Sequence, residues 1–575
     1  MSHYKADKHN KYDKDDKHDK HDKYDDDDKP NKPGKGGKHD DDDDDDKPNK
    51  PGKGGKRDKY DDRDDEDDDD DDKAGKKGNV ITVDLKATQI DPNAPKYQKM
   101  LKNMQGNILK GHGRDYSVHI FLKFTADAGT IKKWIESFAK KYVTSAEQQL
   151  RETENYKKHG TPGGLFGNFF LSAKGYEALG FRKEVIKSAF VEEDVFLGGE
   201  KVDVKFIKGI AAAQQELNDP PVGTWEQGYR YLQPTIDAVI LLADKDEQAL
   251  YREVTAIMQD KKLPATVLAT EHGTALRNEI GEGIEHFGYV DGRSQPLFLQ
   301  SEIEAEANKD GIDQWNPSAP LELALVPDPF GEEQDCFGSY VVFRKLEQNV
   351  RGFKQREQEL AEALELTGDD AERAGAMAVG RFEDGTPIVL QPTDGLNSPV
   401  PNNFTYDDDT EGLKCPFHAH IRKMNPRGDI PNFFAPNEEV KQQLREEELS
   451  HRIVRRGIPF GKREVEPKDD PTLEQMPTGG VGLLFMCFQS NIARQFGFMQ
   501  KNWANNVNFV QPETGLDPVI GQQAAGVESL AQQWPPQWGE QGKQPFDFGQ
   551  FVAMKGGEFF FAPSLSFLKR LKKAD

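Results

Sequence analysis

Hydrophobic side chains follow two regimes along this chain. Before about residue 79 aliphatic residues are almost missing; after it, short apolar runs and helical spacings succeed one another to the C-terminus. Residues 118–124 (Val-His-Ile-Phe-Leu-Lys-Phe) have the β-branched and aromatic content of a strand. Ile131, Trp134, Ile135, Phe138 and Tyr142 recur at three- and four-residue spacing, which puts them on one face of a helix. A short strand is predicted at 168–172, with a helix around Tyr176 to Leu179. The unbroken apolar run 237–243 predicts a buried strand, and 246–260 a helix with Leu250, Val254 and Ile257 on one face. Residues 265–270 complete this set as a further strand. The second half has the same plan: a strand at 339–346, a long charged helix over 348–366, a strand at 482–488, a helix marked by Ile492, Phe496, Met499 and Trp503, and a last strand at 558–562. Mixed strands and helices separated by long excursions suit antiparallel sheets with helices on one face better than a doubly wound parallel sheet. The expectation is an α+β chain of two similar halves, 79–285 and 286–575, that share no sequence repeat.

Composition adds exclusions. The chain has 575 residues and a net charge of −24, which argues against nucleic acid or an anionic membrane as partner. No apolar run approaches the ~20 residues needed to span a bilayer. Cys336, Cys415 and Cys487 are far apart with no CxxC, so neither a disulfide framework nor a structural zinc site is expected. The N-terminus has no apolar core of a secretory signal, so a cytoplasmic location is expected, with non-classical export left open. Residues 1–78 are mostly Asp, Lys, Gly, Pro and His, and the block 27–38 recurs word for word at 45–56. Such a segment has too little apolar surface to offset its ordering entropy, and a disordered, acidic and Lys-rich tail is expected. A solvated brush is favoured over weak cation binding by its histidines. The tail carries about a third of the net charge, so the remainder is acidic in its own right.

Three stretches carry candidate chemistry. Residues 415–427 (Cys-Pro-Phe-His-Ala-His-Ile-Arg-Lys-Met-Asn-Pro-Arg) bring together two imidazoles, His418 and His420, with fixed positive charge and two prolines. Neutral imidazole is a common metal ligand, and a proximal His is one of the few ways a protein holds haem iron. Residues 286–296 (His-Phe-Gly-Tyr-Val-Asp-Gly-Arg-Ser-Gln-Pro) set glycines around Asp291, a tight loop presenting one carboxylate. Residues 451–461 are basic, with Arg455 able to stay protonated at any pH and point into a site. Each stretch taken alone reads more simply as structure: a core histidine, an Asp-Gly turn, a basic surface loop.

In this order and wording the three resemble the dye-decolorizing peroxidase family, over essentially all of 104–568. Residues 288–292 fit that family's GxxDG motif, 415–427 its haem-ligand segment and 453–461 its distal-arginine segment. The tail has no counterpart in the family pattern. The resemblance implies two ferredoxin-like halves, with one b-type haem in the second. It implies His420 as proximal iron ligand, with His418 its competitor, Asp291 as distal acid–base and Arg455 as distal cation. Leu483, Phe485 and Arg293 are implied as haem contacts. Asp517 is implied as acceptor for the proximal imidazole N–H, with Asp547 as alternative. Hydrogen peroxide and dyes, phenols or similar aromatic one-electron donors are the implied substrates, and a homo-oligomer is left open. Trp503, Trp534, Trp538 and Tyr340 are candidates for electron relay by chemistry alone. A non-catalytic haem carrier or sensor is the alternative; it needs neither Asp291 nor Arg455, and the presence of both favours the enzyme. A carboxylate base, with a reference pKa of ~4 against ~6.5 for His, predicts activity favouring acidic pH unless burial raises the pKa of Asp291.

Overall fold

Each strand predicted from an apolar run is present in the computed structural model. It describes residues 81–571 apart from 191, 195–199, 203–204, 231–235, 470 and 525. The predicted tail at 1–78 lies outside the described residues. The first half contains β1 (Tyr116–Phe124), helix α1 (Ala128–Tyr142), β2 (Phe166–Leu171), β3 (Ala238–Asp244), helix α2 (Glu247–Met258) and β4 (Ala265–Thr274). Helix α1 begins where the Asp127 carboxylate accepts the Thr130 N–H, and it buries Ile131, Ile135 and Phe138. Helix α2 begins on Asp246 in the same way and buries the three predicted residues, Leu250, Val254 and Ile257. All seven residues of β3 are buried, as its unbroken apolar run requires.

The strands pair antiparallel in the order β4-β1-β3-β2, the arrangement of a ferredoxin-like unit. The second half repeats it with β5 (Phe337–Gln348), helix α3 (Val350–Ala363), β6 (Val454–Arg455), β7 (Ile458–Phe460), β8 (Gly482–Gln489) and β9 (Val552–Ala562). Here the order is β7-β8-β5-β9, with β6 continuing β7 along the same edge of β8. The two sheets also meet. Phe561 of β9 pairs with Leu171 of β2, and Phe460 of β7 pairs with Gly273 of β4. The eight longer-range pairings therefore close a ring, and the halves form one barrel, a closure that the apolar pattern did not announce.

The helix expected from Ile492, Phe496, Met499 and Trp503 is present but wound as π-helix over Ala493–Gly497 and Met499–Ala504. A second hydrophobic core stands apart from the barrel, and it includes Phe287, Phe353, Met377, Tyr406, Trp534 and Phe548. Most of it comes from the long excursion between β5 and β6. That excursion contains the five-residue helix α4 (His420–Met424). Along β8, Leu484 and Met486 are buried while Leu483 and Phe485 alternate to the other face, where a cavity opens. No described helix is long and apolar enough to cross a membrane.

Candidate active site

The cavity encloses about 1530 Å³ of empty space, the solvent at its mouth included. Its lining brings together Asp291 and Arg293 from the glycine loop, His420 from α4, Arg455 from β6 and Leu483 and Phe485 from β8. Six of the seven site residues expected from the sequence thus share one cavity. Asp517, the seventh, sits directly behind His420.

Helix α4 starts at His420, and its ring is 22 % exposed, toward the cavity. Nδ1 lies 2.8 Å from Asp517 Oδ2. The other carboxylate oxygen of Asp517 accepts the backbone N–H groups of Val519 and Ile520, at 2.8 and 3.0 Å. Burial by itself would raise the Asp517 pKa; His420 and those two N–H groups outweigh it and hold the carboxyl below the ordinary range. The acceptor fixes the imidazole with Nδ1 as donor and leaves Nε2, which has no hydrogen-bond partner among the described residues, as the free lone pair. Asp547 does not reach this site; its carbonyl accepts from Arg356. His418 lies outside the cavity. It is 2 % exposed, meets the Trp534 ring edge-on at 4.1 Å, and burial pushes its pKa well down.

Asp291 is presented by a turn that only glycine allows, with φ of +104° at Gly288 and +82° at Gly292. Its Oδ1 accepts the Gly292 N–H at 2.6 Å and Arg455 Nη1 at 2.9 Å. Arg455 Nη2 donates to the Arg293 carbonyl, and the Arg455 backbone N–H is held by Gln295 Oε1. The Asp291 side chain keeps 35 % of its surface open to the cavity, yet it lies deep enough that desolvation raises its pKa. Arg455 and the Gly292 N–H outweigh the burial and bring it below the ordinary carboxylate range.

Sequence reasoning missed Gln295, Arg381 and Arg427 as parts of this site. Arg427 donates to the carbonyls of Asn402 and Phe404 and to Ser294 Oγ, tying the histidine segment to the Asp291 loop. Arg381 donates to the carbonyls of Gly385 and Pro401. Both line the cavity, and neither forms an ion pair among the described residues. Burial lowers their pKa values to about 10 for Arg381 and about 9 for Arg427. Arg381 Nη2 and Arg293 Nε are buried without a hydrogen-bond partner among the described residues. Arg427 was signalled by the run of charge at 422–427; Arg381 follows no pattern that could have found it. Of the relay candidates, Trp503, Trp534 and Tyr340 are buried in aromatic clusters, and Trp538 donates its indole N–H to the Ile388 carbonyl.

This donor set fits a haem. One imidazole is pre-oriented with its free nitrogen toward a large, mostly apolar space, and orphaned guanidinium N–H groups at its edge suit the carboxylates of a porphyrin. Comparison with known proteins agrees. Residues 103–277 match the DyP dimeric alpha+beta barrel domain, and residues 437–515 match the Dyp-type peroxidase C-terminal family. The multifunctional dye peroxidase DyP2 of an Amycolatopsis species is 45 % identical over 483 residues, 82 % of this chain and 96 % of its own length. The dye-decolorizing peroxidase msp1 of Mycetinis scorodonius is 31 % identical over 507 residues, 82 % of this chain and 87 % of its own. Among solved structures, a DyP-type peroxidase of an Anabaena species superposes with a TM-score of 0.76 at 42 % identity, covering 85 % of this chain and 99 % of that one.

Proposed function

This chain belongs to the dye-decolorizing peroxidase family and is an enzyme of that type, and from that premise we propose that it holds haem b through His420 and reduces hydrogen peroxide with Asp291 and Arg455. The observation that carries the reading is the convergence of two pairs, His420–Asp517 and Asp291–Arg455, on one cavity. Haem held by His420 would supply an iron centre able to accept two oxidising equivalents from peroxide. The rest falls to the chain. The Asp517 carboxylate makes the His420 imidazole a more basic ligand. Asp291 Oδ1 is engaged by Gly292 and Arg455, which leaves Oδ2 to take a proton from the incoming peroxide and return it to the oxygen that departs as water. Arg455 keeps Asp291 ionised beforehand and stabilises the negative charge that grows as the O–O bond opens. Two one-electron aromatic donors, dyes or phenols, then complete each cycle.

The test is haem retention and peroxide-dependent bleaching of an anthraquinone dye in two single variants. His420→Ala is expected to lose the Soret band at ~400 nm that a proximal histidine supports, and His418→Ala to keep it. Retention in His420→Ala with loss in His418→Ala would reverse the ligand assignment. A protein that keeps haem but never bleaches dye with peroxide is a carrier.

A further inference from the structure

Lys423 is fully buried, one turn after His420 on α4. Its ammonium donates to the carbonyls of Asn506 at 2.9 Å and Gly515 at 2.6 Å, in the loop that leads into Asp517. The charged group acting on it is Asp517, whose attraction opposes a burial that takes the lysine down to about 7. A buried ammonium is costly to keep, and two carbonyls alone do not require one, because an amide could cap them without carrying charge. What a cation adds in this place is an electric field. Asp517 strengthens His420 as a ligand by its negative charge, and a positive charge held on the loop two residues before the carboxylate works against it in a medium of low dielectric.

We propose that Lys423 is a positioning residue that partly neutralises Asp517 and thereby sets the donor strength of the His420 imidazole. This rests on the reading of His420 as the iron ligand. Without the ammonium, Asp517 draws harder on the Nδ1 proton, the imidazole becomes a stronger donor, and ferric iron is favoured over ferrous.

The experiment is redox titration of the haem-loaded full chain at about pH 5.5, where a lysine of this kind is protonated. The iron–histidine stretch of the ferrous form is read beside it by resonance Raman. Lys423→Met and Lys423→Gln are both expected to lower the Fe(III)/Fe(II) potential and raise the stretching frequency. In an Asp517→Asn background the same substitutions are expected to shift both by less. If Lys423→Met does not accumulate as folded protein, Lys423→Gln, which keeps a donor for the carbonyls, carries the test. An unmoved potential, a Gln variant that behaves as wild type while Met shifts, or equal shifts with and without Asp517 would each overturn the proposal. Asp517→Asn alone leaving potential and stretch unchanged would instead overturn the His420–Asp517 reading, whatever Lys423 does.

Discussion

At the scale of single residues, the state of Asp291 is decided by burial on one side and its hydrogen-bond donors on the other. Burial raises its pKa; Arg455 and the Gly292 N–H lower it, and the lowering wins. A carboxyl held below its ordinary range remains a base until the pH falls through that depressed value. The rate constant for reaction with peroxide should therefore stay level down into the acid range and drop only below it. Removing Arg455 takes away the largest influence opposing burial and leaves the Gly292 N–H, so Arg455→Leu is expected to move the acid limb to higher pH. Asp291→Asn should slow the reaction by ~10²-fold or more at every pH, the usual share of general acid–base catalysis. Stopped-flow measurement of the initial haem oxidation against pH checks both, and an acid limb unmoved in Arg455→Leu would separate the pair. Asp291 was legible because glycines at 288 and 292 mark the turn that presents it. Gln295 was not, because its part depends on a backbone N–H that only the folded chain brings to it.

At the scale of elements, helix α4 has five residues, too few to persist without tertiary support. Arg422 supplies that support from within. It binds Asp429 through Nε and Nη2 and Asp409 through Nη1, and donates to the Cys415 carbonyl, between the rings of Tyr406 and Phe417 at 4.4 Å each. Asp409 in turn accepts the N–H groups of Leu413, Lys414 and Cys415. Arg422→Leu would leave two buried carboxylates without their cation, a loss of about 3–5 kcal/mol for a broken buried ion pair. The expected outcome is a lower denaturant midpoint in the haem-free protein and faster loss of haem from the loaded one. Arg422→Lys should recover only part of each, since an ammonium cannot serve both carboxylates in the same fork. Wild-type haem retention in Arg422→Leu would show that α4 is held by other means. This cluster also explains what the sequence could not convey. The strands and helices α1 and α2 announce themselves because an apolar face repeats at a fixed period. The histidine segment within the excursion between β5 and β6 is held by buried ions as well as by the second core, and ionic contacts of this kind have no period. The helix Glu438–Ser450 was passed over for the same reason: the residue it buries is Glu448, a carboxylate.

At the scale of the whole molecule, the two halves share one core, but among the described residues their sheets are joined by only two strand pairings, and one of them bears on the chemistry. Strand β7 joins β4 through Phe460 and Gly273, and β7 continues directly from β6, which carries Arg455. The close approach depends on residue 273 having no side chain. A Cβ there would run into Ile458 Cγ2 and come within 2.6 Å of Ser117 Oγ. Nothing in the local pattern of either half encodes this, because the requirement arises between two sheets far apart in sequence. Gly273→Ala should therefore act at a distance. It should cost about 1–3 kcal/mol through overpacking and also slow the reaction with peroxide, although residue 273 does not line the cavity. Ile458→Ala removes the β7 side-chain atoms that the new methyl meets and leaves only the Ser117 hydroxyl, on β1, in its way. If displacement of β7 is the cause, the double variant should recover rate relative to Gly273→Ala alone, a coupling that independent sites would not show. Equilibrium unfolding and stopped-flow on the four members of this cycle measure both quantities. Purely additive effects would mean that the joint can open without moving Arg455, and that the barrel holds the site less tightly than its closed ring of strands requires.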